Sequence, residues 1–345
     1  MNILVVKPSS LGDILHTFPA VALARQSVPG VHVSWVVSDA LVDVVRLYPG
    51  VDRVLIFPRD RFRRFWRWPG VWPYYRALRE RSYDVVLDFQ GLFRSGLVTF
   101  LSRGRRRVGF RNAREGAACF YTERVALPPD LRHAVDKNVH LVRTAFGIDA
   151  PTPVPDLKVE PTAVRQADQL VREHGLAGGP ALLAVAPASR WATKTWPPEF
   201  FAGVMDRVVA RSPGTVCWLL GTARERPVAE AVAAACRAAV PRNLAGLTDM
   251  GTLVELLRRS AALLTNDSGP MHLAACVQVR TVALFGPTDP ALTGPYGAGH
   301  VVFTGTCPRQ PCFLRECPLD RRGCAEAVDP DAVSKAVVEI LSTRA

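Results

Sequence analysis

Short apolar runs recur in the first half of the chain at residues 3–6, 31–37, 54–57 and 85–89, separated by helical spacing over about 13–27 and near residue 40. Runs of this length alternating with amphipathic stretches predict parallel strands joined by crossover helices. A proline-rich stretch, Ala150-Pro151-Thr152-Pro153-Val154-Pro155, then breaks all periodicity, which predicts an extended linker. Beyond it the alternation restarts, with apolar runs at 181–186, 215–220, 262–265 and 279–285 and helical stretches at 198–210 and 227–239. Two α/β domains are therefore expected, over 1–152 and 153–345, with a cleft between them. A closing helix over about 330–341 carries Val333, Val337, Val338 and Ile340 at helical spacing, and is expected to pack back on the first domain or on the second.

Composition changes this picture little. Hydrophobic residues are 48% and charged residues 21% of 345, enough for two ordinary cores without disulfide or metal staples. The chain enters an apolar strand at once, with no basic segment followed by an apolar core and a cleavage site, so a cytoplasmic protein is expected and its eight cysteines read as thiols. No apolar run approaches the roughly 18 residues of a spanning helix, which leaves peripheral membrane contact. The net charge of +12 points to anionic partners: nucleic acid, phosphorylated substrates or an anionic leaflet. Lysine supplies 5 of the 43 basic residues, so each lysine is more informative than each arginine.

Three loops carry candidate chemistry, each following a strand and opening a helix, where open α/β sheets bind ligands. The first, Lys7-Pro8-Ser9-Ser10-Leu11-Gly12-Asp13, lacks both the Gly-x-Gly-x-x-Gly fingerprint and the P-loop pattern, which argues against dehydrogenase and ATPase chemistry. Asp13 suits either a helix cap or a general base that takes the proton of an attacking hydroxyl. In the second loop, Ser189, Thr193 and Lys194 form a hydroxyl and ammonium cluster suited to a diphosphate, where Lys194 neutralises charge on a leaving nucleoside diphosphate. In the third, Asn266-Asp267-Ser268-Gly269-Pro270-Met271-His272, the amides at Ser268 and Gly269 favour an anion at the helix start. Asp267 there reads as a sugar ligand or an N-cap, and His272 as a supporting group.

Together with Asp88-Phe89-Gln90-Gly91-Leu92 and Phe285-Gly286-Pro287-Thr288-Asp289-Pro290, these loops resemble glycosyltransferase family 9, the bacterial heptosyltransferases, over nearly the whole chain. The resemblance implies a GT-B architecture of two facing Rossmann-like domains, the first holding the acceptor and the second the nucleotide sugar. It implies inverting, metal-independent transfer from ADP-heptose, with no cofactor, to the Kdo/heptose inner core of lipopolysaccharide, at the inner face of the inner membrane. By the same resemblance Asp13 is the base, Ser189, Thr193 and Lys194 meet the diphosphate, Glu225 meets the ribose and Asp267 the transferred sugar.

Lys7 and the run containing Arg59, Arg61, Arg63 and Arg64, interleaved with Phe62, Phe65, Trp66 and Trp68, are expected to serve a carboxylated, phosphorylated lipid acceptor. The same run suits nucleic acid or a solvated helix face. Cys307, Cys312, Cys317 and Cys324 have C-x4-C, C-x4-C and C-x6-C spacing, looser than common zinc knuckles, and no metal is expected there. Two other readings compete: a family 9 transferase with another nucleotide sugar or acceptor, and a basic nucleic-acid-binding protein, which leaves the lysine and aspartate loops unexplained.

Overall fold

The computed structural model describes residues 1–58, 72–174, 181–319 and 324–343. It divides into two compact units, Met1–Lys158 and Val159–Ala345. The first holds strands β1 (Asn2–Val6), β2 (His32–Ser38), β3 (Arg53–Phe57), β4 (Val85–Asp88), β5 (Arg106–Phe110) and β6 (Glu123–Val125). The second holds β7 (Leu182–Ala186), β8 (Val216–Leu219), β9 (Arg242–Asn243), β10 (Ala262–Asn266), β11 (Thr281–Phe285) and β12 (Val301–Thr304).

Each unit is one six-stranded parallel sheet, ordered β3-β2-β1-β4-β5-β6 in the first and β12-β11-β10-β7-β8-β9 in the second. Both are the doubly wound Rossmann order, in which chain progression reverses between two central strands, β1 and β4 or β7 and β10. Every residue of β7, β10 and β11 is buried, as strands covered by helices on both faces require. This is why short continuous apolar runs, rather than alternation, marked them in the sequence. The polar starts of β5 and the brevity of β6, β9 and β12 left no such run.

Two departures from the expected elements have clear causes. The helix expected over 13–27 is two, Leu11–Leu15 and Phe18–Ser27, because Pro19 has no N–H to give the Leu15 carbonyl and its ring crowds that oxygen. The helix expected over 227–239 is Arg226–Ala235. The Asp206 carboxylate accepts from the amides of Arg237, Ala238 and Ala239 at 2.8–3.2 Å and draws the chain out of the helix. Burial opposes the charge on Asp206, but these amides outweigh it and hold the carboxyl below its usual range.

The closing helix, Pro330–Ser342, packs within the second unit against the helix Pro198–Arg211, which decides between the two domains left open to it. Val333, Val337, Ile340 and Leu341 belong to the second unit's core with Phe201, Met205 and Val208. Arg211 fastens its start, donating to Ser334 Oγ at 2.8 Å and Asp331 at 2.9 Å. An apolar face of this size finds its partner among the nearest core side chains, and charge pairing sets the register.

Candidate functional site

In the first unit, parallel pairing of Val6 with Asp88 carries β1 and β4 side by side to the reversal point, so Lys7 and Phe89 leave the sheet together. The Lys7 ammonium donates to the Phe89 carbonyl at 3.1 Å and lies 3.8 Å from Asp13 Oδ1. Asp13 Oδ2 accepts from the Ser10 amide at 2.9 Å and the Ser10 hydroxyl at 2.8 Å. Asp13 is thus a capping-box residue through one oxygen and Lys7's partner through the other. The Lys7 side chain is 8% exposed and that of Asp13 42%, so the lysine is an inward tether while the carboxylate keeps a face that a hydroxyl can reach. Lys7, expected with the acceptor, has its ammonium held between the Phe89 carbonyl and Asp13.

The loop after β4 is held by Asp88, a carboxylate wholly buried that sequence reasoning left without a role. Tyr121 donates its hydroxyl to Oδ2 at 2.7 Å, and the amides of Gln90 and Gly91 donate to Oδ1 at 2.9 and 3.1 Å. Gly91 turns the chain at φ +63°, a conformation glycine adopts without strain. Burial pushes the Asp88 carboxyl above its usual range despite the hydrogen bonds that lower it. A raised folded pKa means that Asp88's contribution to stability is complete below the unfolded value and falls as pH rises through the folded one. Asp88→Asn should therefore flatten the decline of the urea midpoint over the pH range above the ordinary carboxylate value, whereas Asp88→Ala, which strands Tyr121 and two amides, should cost about 2–4 kcal/mol where Asp88 is protonated. A wild-type midpoint that does not fall relative to the asparagine variant over this range would refute the assignment.

In the second unit, the loops after β7 and β10 meet at the other reversal point. Asn266 locks them: its side chain donates to the Pro187 carbonyl at 2.7 Å and accepts from the Trp196 amide at 3.2 Å. That brings the Lys194 ammonium to 2.5 Å from Asp267 Oδ2, which also accepts the Thr288 hydroxyl at 2.6 Å. Lys194 and Asp267 side chains are 15% and 5% exposed, so neither is a solvated surface charge. Lys194 also stands over the Trp191 ring, 4.6 Å from its centroid. Ser268, not Asp267, is the N-cap of the helix Gly269–Cys276, whose fourth residue is the buried His272. The Ser268 hydroxyl lies 3.2 Å from that of Thr265.

Thr193 is buried and donates its hydroxyl to the Leu314 carbonyl at 2.9 Å, which makes it a brace for the lysine loop. Ser189 is half-buried on the same loop. Glu225 ends a 3₁₀ turn, Ala223–Glu225, with Oε2 accepting from the Thr222 amide at 2.7 Å and hydroxyl at 2.9 Å. Gly286, at the end of β11, comes so close that a Cβ there would lie 2.7 Å from the Thr193 carbonyl. Thr288 was legible as part of a motif but not as the partner of Asp267, a contact made across adjacent strands.

The four cysteines of the carboxyl-terminal segment are free thiols lining one cavity of about 90 Å³ beside Thr193. Burial raises the Cys324 thiol, and the other three cysteines add to the rise. Among the described residues no group of three or more histidine, cysteine, aspartate or glutamate side chains is placed to hold a metal ion. Arg59, Arg61, Arg63 and Arg64 lie outside the described residues.

Residues 71–322 match the family described as Glycosyltransferase family 9 (heptosyltransferase). The chain belongs to glycosyltransferase family 9. It is 32% identical over 326 residues to lipopolysaccharide heptosyltransferase 1 of Pseudomonas aeruginosa, covering 92% of this chain and 87% of that one. Its fold superposes on a family 9 glycosyl transferase from Veillonella parvula with a TM-score of 0.86 at 22% identity, over 99% of this chain and 97% of that one. A solved E. coli heptosyltransferase, WaaC with ADP, is 25% identical with a TM-score of 0.78, over 99% of this chain and 100% of that one. The enzyme is thus a family 9 glycosyltransferase of GT-B-like fold, and both of its candidate loop clusters lie at the reversal points of its two sheets.

Proposed function

We propose that this enzyme transfers heptose from ADP-heptose to the Kdo/heptose inner core of lipopolysaccharide, by a single displacement that inverts the anomeric carbon and needs no metal ion. The observation that carries the reading is the Lys194–Asp267 pair at the β7/β10 reversal point: a cation for phosphate and a carboxylate for sugar hydroxyls, one hydrogen bond apart. The P. aeruginosa relative's activity and the ADP of the E. coli structure support the choice of donor. In this reading the second unit holds the nucleotide sugar, with Ser189, Ser268 and Gly269 at the diphosphate, Glu225 at the ribose and His272 supporting Asp267.

The first unit binds the acceptor. Asp13 takes the acceptor hydroxyl proton as that oxygen bonds the anomeric carbon. The bond from this carbon to the β-phosphate oxygen breaks, its electron pair leaves with ADP, and Lys194 offsets the charge. Lys7 acts by holding Asp13, and the arginines at 59, 61, 63 and 64 meet the carboxylates and phosphates of a lipid acceptor at the cytoplasmic face of the inner membrane. Among the described residues no helix is long and apolar enough to cross a membrane.

The test is turnover with a Kdo-terminated lipid A acceptor and four donors, ADP-heptose, ADP-glucose, UDP-glucose and GDP-mannose, with and without EDTA. ADP release and a heptosylated product from the first donor, unchanged by chelation, are expected. Preference for a uridine or guanosine donor would overturn the donor assignment, and activity lost to EDTA and restored by magnesium would overturn the metal-free step.

A further inference from the structure

The diphosphate of a nucleotide sugar carries about two negative charges, yet Lys194, the cation assigned to it, is already paired with Asp267 at 2.5 Å. The two side chains sum to zero, so an arriving diphosphate meets a neutral pair unless another cation is at hand. One is held beside the same aromatic ring. Arg315 places its guanidinium carbon 5.1 Å from the centroid of Trp191, the ring over which Lys194 stands at 4.6 Å. Through that centroid the two cationic groups are less than about 10 Å apart, close enough for one diphosphate and its solvent shell to touch both.

Arg315 is delivered there by backbone contacts. Its neighbour Leu314 accepts the hydroxyl of Thr193, the residue preceding Lys194, at 2.9 Å. The Phe313 amide donates to the Pro287 carbonyl at 2.9 Å, and the Gln310 side-chain amide to the Gly286 carbonyl. The cysteine-bearing segment is therefore stitched to the loop after β7, next to the lysine, and to the loop after β11. Among the described residues no carboxylate is paired with Arg315, whose side chain is exposed, whereas Lys194 is committed.

We propose that Arg315 is a second cation for the donor's diphosphate, supplied to the Lys194 loop by the cysteine-bearing segment. This rests on the reading of that loop as the diphosphate site. A guanidinium fork suits two phosphate oxygens at once, which a lysine ammonium cannot match geometrically.

The test compares ADP with adenosine, which lacks the diphosphate, by calorimetry on the wild type, Arg315→Gln, Arg315→Lys and Lys194→Ala. Arg315→Gln should weaken ADP about 10- to 100-fold, leave adenosine unchanged and flatten the salt dependence of ADP binding, while Arg315→Lys recovers part of the loss. Each variant's thermal midpoint is recorded so that a change in ADP affinity is read on folded protein. If Lys194→Ala weakens ADP and Arg315→Gln does not, Arg315 merely stacks on Trp191 and the inference fails alone. If Arg315→Lys loses as much as Arg315→Gln, the planar stack and not the charge matters, and the inference again fails. ADP affinity unmoved by Lys194→Ala would remove the diphosphate site itself, and the inference with it.

Discussion

Asp13→Asn should lower kcat about 10²- to 10⁴-fold while leaving the affinity for ADP-heptose and the thermal midpoint close to wild type. The two oxygens of Asp13 do different things. Oδ2 holds the Ser10 amide and hydroxyl, and an asparagine oxygen in that position keeps both bonds, so the helix Leu11–Leu15 stays capped. Oδ1 faces Lys7, and replacing it with an amide nitrogen leaves no group able to accept a proton. Asp13→Ala, by contrast, also removes the cap and should cost about 1 kcal/mol of stability in addition to the rate. Steady-state kinetics with a melting curve on both variants separates the two roles. An asparagine variant with turnover within a factor of a few of wild type would leave Asp13 a cap and nothing more.

The second large effect concerns the buried pair. In the proposed reading Lys194→Ala removes the cation meant for the diphosphate and also leaves Asp267, 5% exposed and bonded to Thr288, as an uncompensated carboxylate beside the donor's negative charge. A loss of about 10²- to 10³-fold in kcat/KM is expected, larger than loss of the cation alone would give. The double variant Lys194→Ala/Asp267→Asn should therefore bind ADP more tightly than Lys194→Ala, because the repelling charge is gone, yet remain slow, because no cation meets the leaving group. Calorimetry with ADP and single-turnover rates on both variants decide it. If the double variant binds ADP no better than Lys194→Ala, Asp267 does not face the diphosphate and the charge argument for this site is wrong.

Much of the fold was legible because burial leaves a local signature. β7, β10 and β11 are covered on both faces and so read as short unbroken apolar runs, whereas the break at Pro19 was passed over because the helical spacing continues across it. The loops carrying Asp13, Lys194 and Asp267 were legible for a related reason: each follows such a run and opens a helix, a position where hydroxyl, lysine and aspartate side chains have no packing duty.

What the sequence determined, then, was the alternation of strands and helices, the loops at their carboxyl ends and the residue types that the chemistry needs. The tertiary structure alone decided which of those residues meet. Lys194 and Asp267, 73 residues apart, join because β7 and β10 lie side by side at the strand reversal, and Thr193 and Leu314, 121 apart, join because the segment after β12 folds back onto the β7 loop. The same holds where structure overrode local preference: the helix that begins at Arg226 stops at Ala235 because Asp206, from another helix, takes the amides beyond it. Periodicity encodes how each segment meets the core, since burial repeats with the backbone's own period. Register and strand order depend on the simultaneous packing of all segments, and no window of sequence contains that sum.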